Sequence, residues 1–271
     1  MPSLSDILSK GIPLLLLERN GSGGTLFFIV VALAVLFCCV AGYLMGSLNS
    51  AIIVSKTIFK SDIREFGSGN AGMTNMFRVF GRSAGLLTLA GDVSKTAVAC
   101  VFGYLAFGYT GCWIAGFFCV LGHMFPCWYR FRGGKGVLVS AAVLLFADWP
   151  VFLGAILVFL IVLLGTRYVS LSSIMAALMM PLLLHIFYTV VSGDGSAAGL
   201  RLPIAVAMAA TVVISHRDNI KRIRERKEPK ISFPWDKNKK SAGEGGMSAG
   251  ESARGGSVSG SGKKKGNGRK K

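Results

Sequence analysis

Two long apolar blocks, residues 26–45 and 174–191, set the first constraint on what this chain can fold into. Each approaches the roughly 20 residues that an α-helix needs to cross the hydrocarbon core of a bilayer. No water is available there to satisfy a backbone N–H or C=O, so each crossing segment must bond within itself. The alternating short segments of a membrane barrel are absent. The expected fold is therefore an all-α, polytopic membrane helical bundle. Composition points the same way: 52% of the 271 residues are hydrophobic and 16% charged, too little polar surface for a water-soluble domain of this length.

Seven spans are predicted, at 26–54, 83–107, 111–128, 135–147, 151–166, 169–191 and 199–215. The fourth and fifth divide one apolar stretch, 137–165, at Asp148-Trp149-Pro150. Proline disfavours continuing the helix, and one kinked span is the rival reading. Charge separates the two. With seven spans, Lys56, Lys60, Arg64, Arg78, Arg82, Arg130, Arg132, Lys135, Arg167 and the basic C-terminal stretch share one side. Lys10, Arg19 and Arg201 are left on the other. Loop Lys and Arg favour the cytoplasm, so the N-terminus is expected outside and the C-terminus inside. Residues 1–25 read as an N-terminal extension, with a short helix lying on the membrane surface over 3–17. Glu18, Arg19 and Asn20 interrupt its apolar run, so a cleaved signal is not expected.

The net charge of +17 does not imply a nucleic-acid partner, because 17 of the 30 Lys+Arg lie after Ser215 and most others sit between apolar blocks. Beyond a membrane domain at 26–215, residues 216–235 form a basic juxtamembrane segment. The Lys/Gly/Ser-rich stretch 236–271 has too little apolar content for a core and is expected to be disordered. Anionic lipid headgroups are a natural contact for it; a solvated tail is the plainer reading. The six cysteines lie in or beside apolar blocks without zinc or disulfide spacing, and read as small hydrophobes.

Four polar motifs fall on the same predicted side. In the loop 46–82, Gly67-Ser68-Gly69-Asn70-Ala71-Gly72 matches a dinucleotide fingerprint formally, but no strand precedes it. A Walker A motif fails too, since Met73 and Thr74 stand where Lys-Ser/Thr belongs. What survives is a glycine-rich anion cradle, in which Ser68, Asn70, Thr74 and Asn75 add donors and Arg78 adds a fork for phosphate oxygens. A flexible interspan loop is the plainer reading. The second motif joins Gly122-His123-Met124-Phe125-Pro126 to Arg130-Phe131-Arg132-Gly133-Gly134-Lys135-Gly136. Gly133 and Gly134 permit close approach and Lys135 supplies a point charge; positive-inside anchoring explains the same cations. His123 stays open between hydrogen-bond donor, base and interfacial histidine. The third motif, Arg167 to Ser173, carries Ser170, Ser172 and Ser173, which also suit a helix cap. The fourth, His216-Arg217-Asp218-Asn219-Ile220-Lys221-Arg222-Ile223, reads equally as a snorkelling anchor. Asp92 and Lys95, inside the second span, are balanced between an ion pair and a cavity lining.

These blocks, GSLNSA, DIREFGSGNAGMTNMFR, GHMFP with FRGGKGV, RYVSLSS and HRDNIKRI, resemble in order the acyl-phosphate:glycerol-3-phosphate acyltransferases of bacterial membranes, over residues 42–225. The resemblance implies acyl transfer from acyl phosphate to the 1-hydroxyl of glycerol 3-phosphate, giving lysophosphatidic acid and phosphate at the cytoplasmic face of the cell's inner membrane. It implies catalytic roles for Ser68, Arg78, His123, Lys135 and Asn219. Gly67, Gly69, Asn70, Gly72, Thr74, Asn75, Arg132, Gly133, Gly134, Ser170, Ser172 and Ser173 would bind substrate or phosphate, with the division between Arg132 and Lys135 left open. Met73, where the pattern often has alanine, is a minor departure.

The chemistry can be weighed on its own. Acyl phosphate carries a good leaving group, so holding two anions in register supplies much of the catalysis. No His is followed by Asp five positions later: Trp128, Val190 and Lys221 stand there. Substrate-assisted proton transfer to a phosphate oxygen is therefore expected, with no cofactor, no metal and no acyl-enzyme. A transporter for a phosphorylated metabolite is the rival class, but the motifs lie on one face without matching halves. Phosphatidyl transfer would need metal-binding carboxylate pairs, and Asp62 and Glu65 do not make that pattern.

Overall fold

The computed structural model describes residues 3–19, 24–193 and 199–231. Contacts divide the chain into Met1–Pro229, which contains every element below, and Lys230–Lys271, of which residues 230 and 231 are described. The stretch 236–271, expected to be disordered, lies outside the described residues, as do 20–23 of the N-terminal extension and 194–198.

Among the described residues the fold is helical without strands. The elements are α1 (Leu4–Lys10), α2 (Ile12–Arg19), α3 (Thr25–Ser47), α4 (Ser50–Ile58), α5 (Met73–Met124), α6 (Val137–Ala147), α7 (Trp149–Thr166), α8 (Val169–Ile186), α9 (Arg201–Ser215) and α10 (Arg217–Arg224). Among the described residues, four helical stretches are long and apolar enough to cross a membrane: Thr25–Ile58, Met73–Tyr129, Trp149–Thr166 and Val169–Val191. Their outward faces are apolar, as lipid requires; Leu33, Leu157, Ile161 and Leu164 are all exposed.

Several predicted span limits shift, each for a visible reason. The span expected over 26–54 breaks after Ser47. There Asn49 caps a new helix, its Oδ1 accepting from Ile52 N at 3.1 Å. α5 is not straight: Gly81, Phe107 and Gly108 have non-helical dihedrals. At the second break the chain reverses, because a Cβ on Gly103 would lie 2.3 Å from Gly111 O. Residues eight apart on one straight helix never meet so closely. The predicted second and third spans are thus the two arms of this hairpin. The doubtful 137–165 stretch does divide: α6 ends against Asp148, and Pro150 opens α7, where its missing N–H is harmless.

α3 packs closely along the second arm of that hairpin. Cβ atoms on Gly42 and Gly46 would stand 2.2 and 2.1 Å from Ala115 O and Cys119 O. Small residues one turn apart allow this backbone approach, the usual basis of helix association in lipid. Trp113, Val120, Val139, Val143, Met180, Leu184 and Met208 fill the core. A second cluster, Ile52, Ile63, Ala71, Met76 and Ala84, underlies the glycine-rich loop. At the end of the bundle away from that loop, Asp148 accepts from Trp113 Nε1 at 2.7 Å and from Tyr188 Oη. Arg201 donates to Tyr188 and lies over the Tyr109 ring, joining the starts and ends of four helices.

Candidate active site

The break between α3 and α4 opens the site. A helix end leaves carbonyls without intrahelical donors; here Gly46 O and Leu48 O receive Lys95 Nζ at 3.2 and 3.0 Å. The same ammonium lies 2.8 Å from Asp92 Oδ1 and 2.9 Å from His123 Nδ1. All three side chains are buried. Asp92 and Lys95 therefore form an ion pair rather than a cavity lining, and His123 is its third member.

Asn75 shapes the glycine-rich loop. Its Nδ2 donates to Phe66 O at 3.0 Å and Asn70 O at 3.1 Å, while Oδ1 accepts from Ser68 N at 3.0 Å. The amide read from sequence as a ligand donor is thus engaged with the loop itself. Gly67 has φ 61°, and a Cβ there would sit 2.3 Å from Asn75 Oδ1, so only glycine fits. Gly69 also takes positive φ, and Gly72 is the N-cap of α5. Asn70 is half-buried beside it. The side chains of Ser68, Thr74 and Arg78 are exposed and make no hydrogen bond among the described residues.

The second glycine motif closes the C-terminus of α5. Gly133 N and Gly134 N donate to Met124 O and His123 O, both at 3.1 Å. A Cβ on Gly134 would lie 2.1 Å from His123 Nε2, so the close approach these glycines permit is to His123. Lys135 crosses to α10, where Nζ donates to Asn219 Oδ1. Arg132 parts from it: its side chain lines an open cleft with Lys56, Asp62, Arg64 and Glu65. In that cleft the paired hydrogen bonds from Arg64, at 2.9 and 2.7 Å, hold the Asp62 carboxyl well below the usual carboxylate range.

Two residues passed over in sequence complete the Lys135–Asn219 junction. Glu228 accepts from Asn219 Nδ2 at 2.6 Å and from Arg222 Nε at 2.7 Å. Buried Ser170 lies beside it. Ser172 and Ser173 instead donate to the carbonyls of Tyr168 and Val169, one turn back. His216 is buried, with Nδ1 2.8 Å from Val212 O. Burial, reinforced by nearby Lys135, holds it below the usual histidine range against the opposing carbonyl contact. Its Nε2 consequently keeps a lone pair. An acid embedded among Arg222, Arg224, Arg226 and Lys227 was the available sign for Glu228; His216 opens the quoted motif but looks like an anchor in sequence. Arg222, Glu228, Asp218 and Arg78 are charges acting on Lys135, so residues of three of the four motifs converge there.

Fold and site together define the class: an integral membrane helical enzyme whose cations, amides and imidazoles gather at one end of an apolar bundle. The chain belongs to the glycerol-3-phosphate acyltransferase family, whose model matches residues 36–226. It is similar to the glycerol-3-phosphate acyltransferase of Geobacillus kaustophilus, 42% identical over 193 residues that cover 71% of this chain and 93% of that one. The Bacillus subtilis protein of the same name is 39% identical, covering 72% and 96%. Among solved structures, PlsY (YgiH), an integral membrane glycerol 3-phosphate acyltransferase, matches in its glycerol 3-phosphate form with TM-score 0.64 and 32% identity, over 73% of this chain and 96% of that one. Its lysophosphatidic acid form matches with TM-score 0.61, over 73% and 95%.

Proposed function

We propose that this chain transfers a fatty acyl group from acyl phosphate to the 1-hydroxyl of glycerol 3-phosphate, giving lysophosphatidic acid and inorganic phosphate. The observation that carries the reading is the junction of Lys135, Asn219 and Arg222, with Arg78 acting on it, where the apolar helices end. A phosphate head meets cations there while an acyl chain lies along the exposed apolar faces. Relatives named for glycerol-3-phosphate acylation support it. In the reaction the substrate hydroxyl oxygen bonds to the acyl carbon and the carbon–oxygen bond to phosphate breaks. The leaving phosphate takes the electron pair and accepts the hydroxyl proton. Neither a metal nor an acyl-enzyme enters this scheme.

The domain reading places the membrane catalytic domain at 26–215, followed by the basic segment 216–235 and the tail. Seven crossings, with the site and C-terminus on the cytoplasmic side of the inner membrane, suit the loop charges. Cysteine introduced at Gly260 should be labelled from the cytoplasmic side only; labelling from outside would sink that topology.

The reaction is tested on detergent-solubilised protein with palmitoyl phosphate and glycerol 3-phosphate. Phosphate release should require both, and lysophosphatidic acid should form from palmitoyl phosphate but not from palmitoyl-coenzyme A. Release without glycerol 3-phosphate, or an acyl-serine or acyl-cysteine adduct trapped in turnover, would overturn the scheme.

A further inference from the structure

His123 meets the cation cluster of Lys95 on one ring nitrogen and the glycine loop on the other. Nδ1 lies 2.9 Å from Lys95 Nζ and 3.6 Å from Asp92 Oδ1. The second distance is too long for a hydrogen bond; the first is a good one. An ammonium offers three protons and no lone pair. A proton on Nδ1 would therefore set two donors face to face. Gly46 O and Leu48 O accept from the same ammonium at 3.2 and 3.0 Å, and Asp92 Oδ1 lies 2.8 Å from it as its counter-ion, so its charge is held in place. Nε2 faces Gly134 and makes no hydrogen bond among the described residues, although the ring is 3% exposed.

We infer that Lys95, oriented by Asp92 and the α3 carbonyls, is a positioning residue that fixes His123 as the Nε2–H tautomer, so that His123 serves its site as a hydrogen-bond donor and not as a base. The nearby Asp92 does not make a catalytic dyad with His123, because Oδ1 and Nδ1 are 3.6 Å apart and Nδ1 meets the lysine at 2.9 Å instead. His216 has the opposite arrangement: its Nδ1 faces a carbonyl, which only a protonated Nδ1 can satisfy. Two buried imidazoles at one end of the bundle are thereby set to opposite tasks, one donating from Nε2 and one presenting a lone pair there. The task assigned to the His123 proton, stabilising charge on a reacting oxygen, rests on the acyl-transfer reading. The tautomer does not.

The chain has three histidines, His123, His185 and His216, so ring-nitrogen NMR of the full-length protein labelled on histidine is assignable with His185→Gln and His216→Gln. Wild-type His123 should show protonated Nε2 and unprotonated Nδ1 at neutral pH. A ring protonated at Nδ1 would overturn the inference without any substitution at position 95. Lys95→Met should release the tautomer to a mixture and lower kcat for phosphate release about a hundredfold, as for one lost transition-state donor, with KM for glycerol 3-phosphate little changed. Lys95→Arg should restore both readouts in part. A Lys95→Met protein keeping both tautomer and rate also refutes the assignment. Wild-type protein that releases no phosphate would remove the acyl-transfer reading, and the NMR result would stand separately.

Discussion

The ammonium of Lys135 donates to the side-chain carbonyl of Asn219, across 84 residues of chain, and so ties the FRGGKG loop to the helix that follows the last apolar segment. Asn219 is turned for this by Glu228, which takes its NH2 group at 2.6 Å. Because that carboxylate faces the amide donors, the Asn219 oxygen points at the lysine. A point charge on a flexible stem is thereby held in one place before any ligand arrives. Preorganisation of this kind avoids reorganisation when charge develops in a transition state.

Removing either partner should therefore cost about the same. Lys135→Ala and Asn219→Ala are each expected to lower kcat/KM for phosphate release by about a hundredfold or more. The double variant should fall little further, because groups acting as one unit are not additive. Steady-state kinetics on the four proteins checks this; fully multiplicative losses would mean that the two side chains act independently.

Arg78 and Arg132 are both loop arginines, but the structure gives them different surroundings. Arg78 acts on Lys135 with its guanidinium making no hydrogen bond among the described residues, whereas Arg132 lines the Asp62–Arg64 cleft. Arg78→Ala should lower the rate about a hundredfold, and Arg78→Lys should recover only part of it, since the fork is lost. Arg132→Ala should cost at least about tenfold less than Arg78→Ala, within the range of a single hydrogen bond. Equal losses in the phosphate-release assay would show that the cleft side of the loop is as close to substrate.

How much of this was legible in sequence follows from which forces are local. Lipid demands long apolar helices, so the bundle could be read from blocks such as 26–45, and Pro150 marked the start of α7. Asn49 was harder, because a capping residue followed by Ala51, Ile52, Ile53 and Val54 looks like one polar position inside a continuing span. The hairpin at Phe107–Gly108 falls at the end of the predicted second span, where Gly108 and Gly111 break the apolar run, yet the dense packing of Gly42 and Gly46 could not be read. In the site, composition displayed the donors but not what they face. Asn75 has the right chemistry for a phosphate ligand and is turned inward by three loop carbonyls. Lys95 and His123 meet across 28 residues and Lys135 and Asn219 across 84, separations that no periodic pattern encodes.

The packing of α3 on α5 makes a direct stability test. A side chain on Gly46 would enter the backbone at Cys119, 2.1 Å away, and would also move the carbonyl that Lys95 holds. Gly46→Val should destabilise the protein by about 1–3 kcal/mol, as overpacking does, and lower activity through the displaced lysine. Gly165→Ala is the control: beyond its own helix backbone and chain neighbours no described atom lies within 4 Å of its Cβ position, and helix propensity favours alanine. Thermal unfolding in detergent should show a clear fall for the first and none for the second.

Glu228 gives the junction a pH dependence of definite sign. Burial alone would raise its pKa, but hydrogen bonds from Asn219 and Arg222 outweigh this and hold the carboxyl below the usual glutamate range. A depressed carboxylate binds fewer protons when folded than when unfolded, so stability rises with pH through that interval. Its contribution is fully present above the ordinary glutamate pKa and is lost as pH falls through the lower, folded value. Asp62, held down by Arg64, adds a similar acid-side loss of its own, so the wild-type curve alone cannot isolate Glu228. Glu228→Gln can: glutamine still accepts from Asn219 but carries no charge for Arg222. The variant should unfold at lower temperature than wild type at neutral pH, and the gap should close as pH drops below the carboxylate range. A gap that stayed constant with pH would show that glutamine fails by shape and not by charge, and that the carboxylate at 228 is not what holds Asn219 toward Lys135.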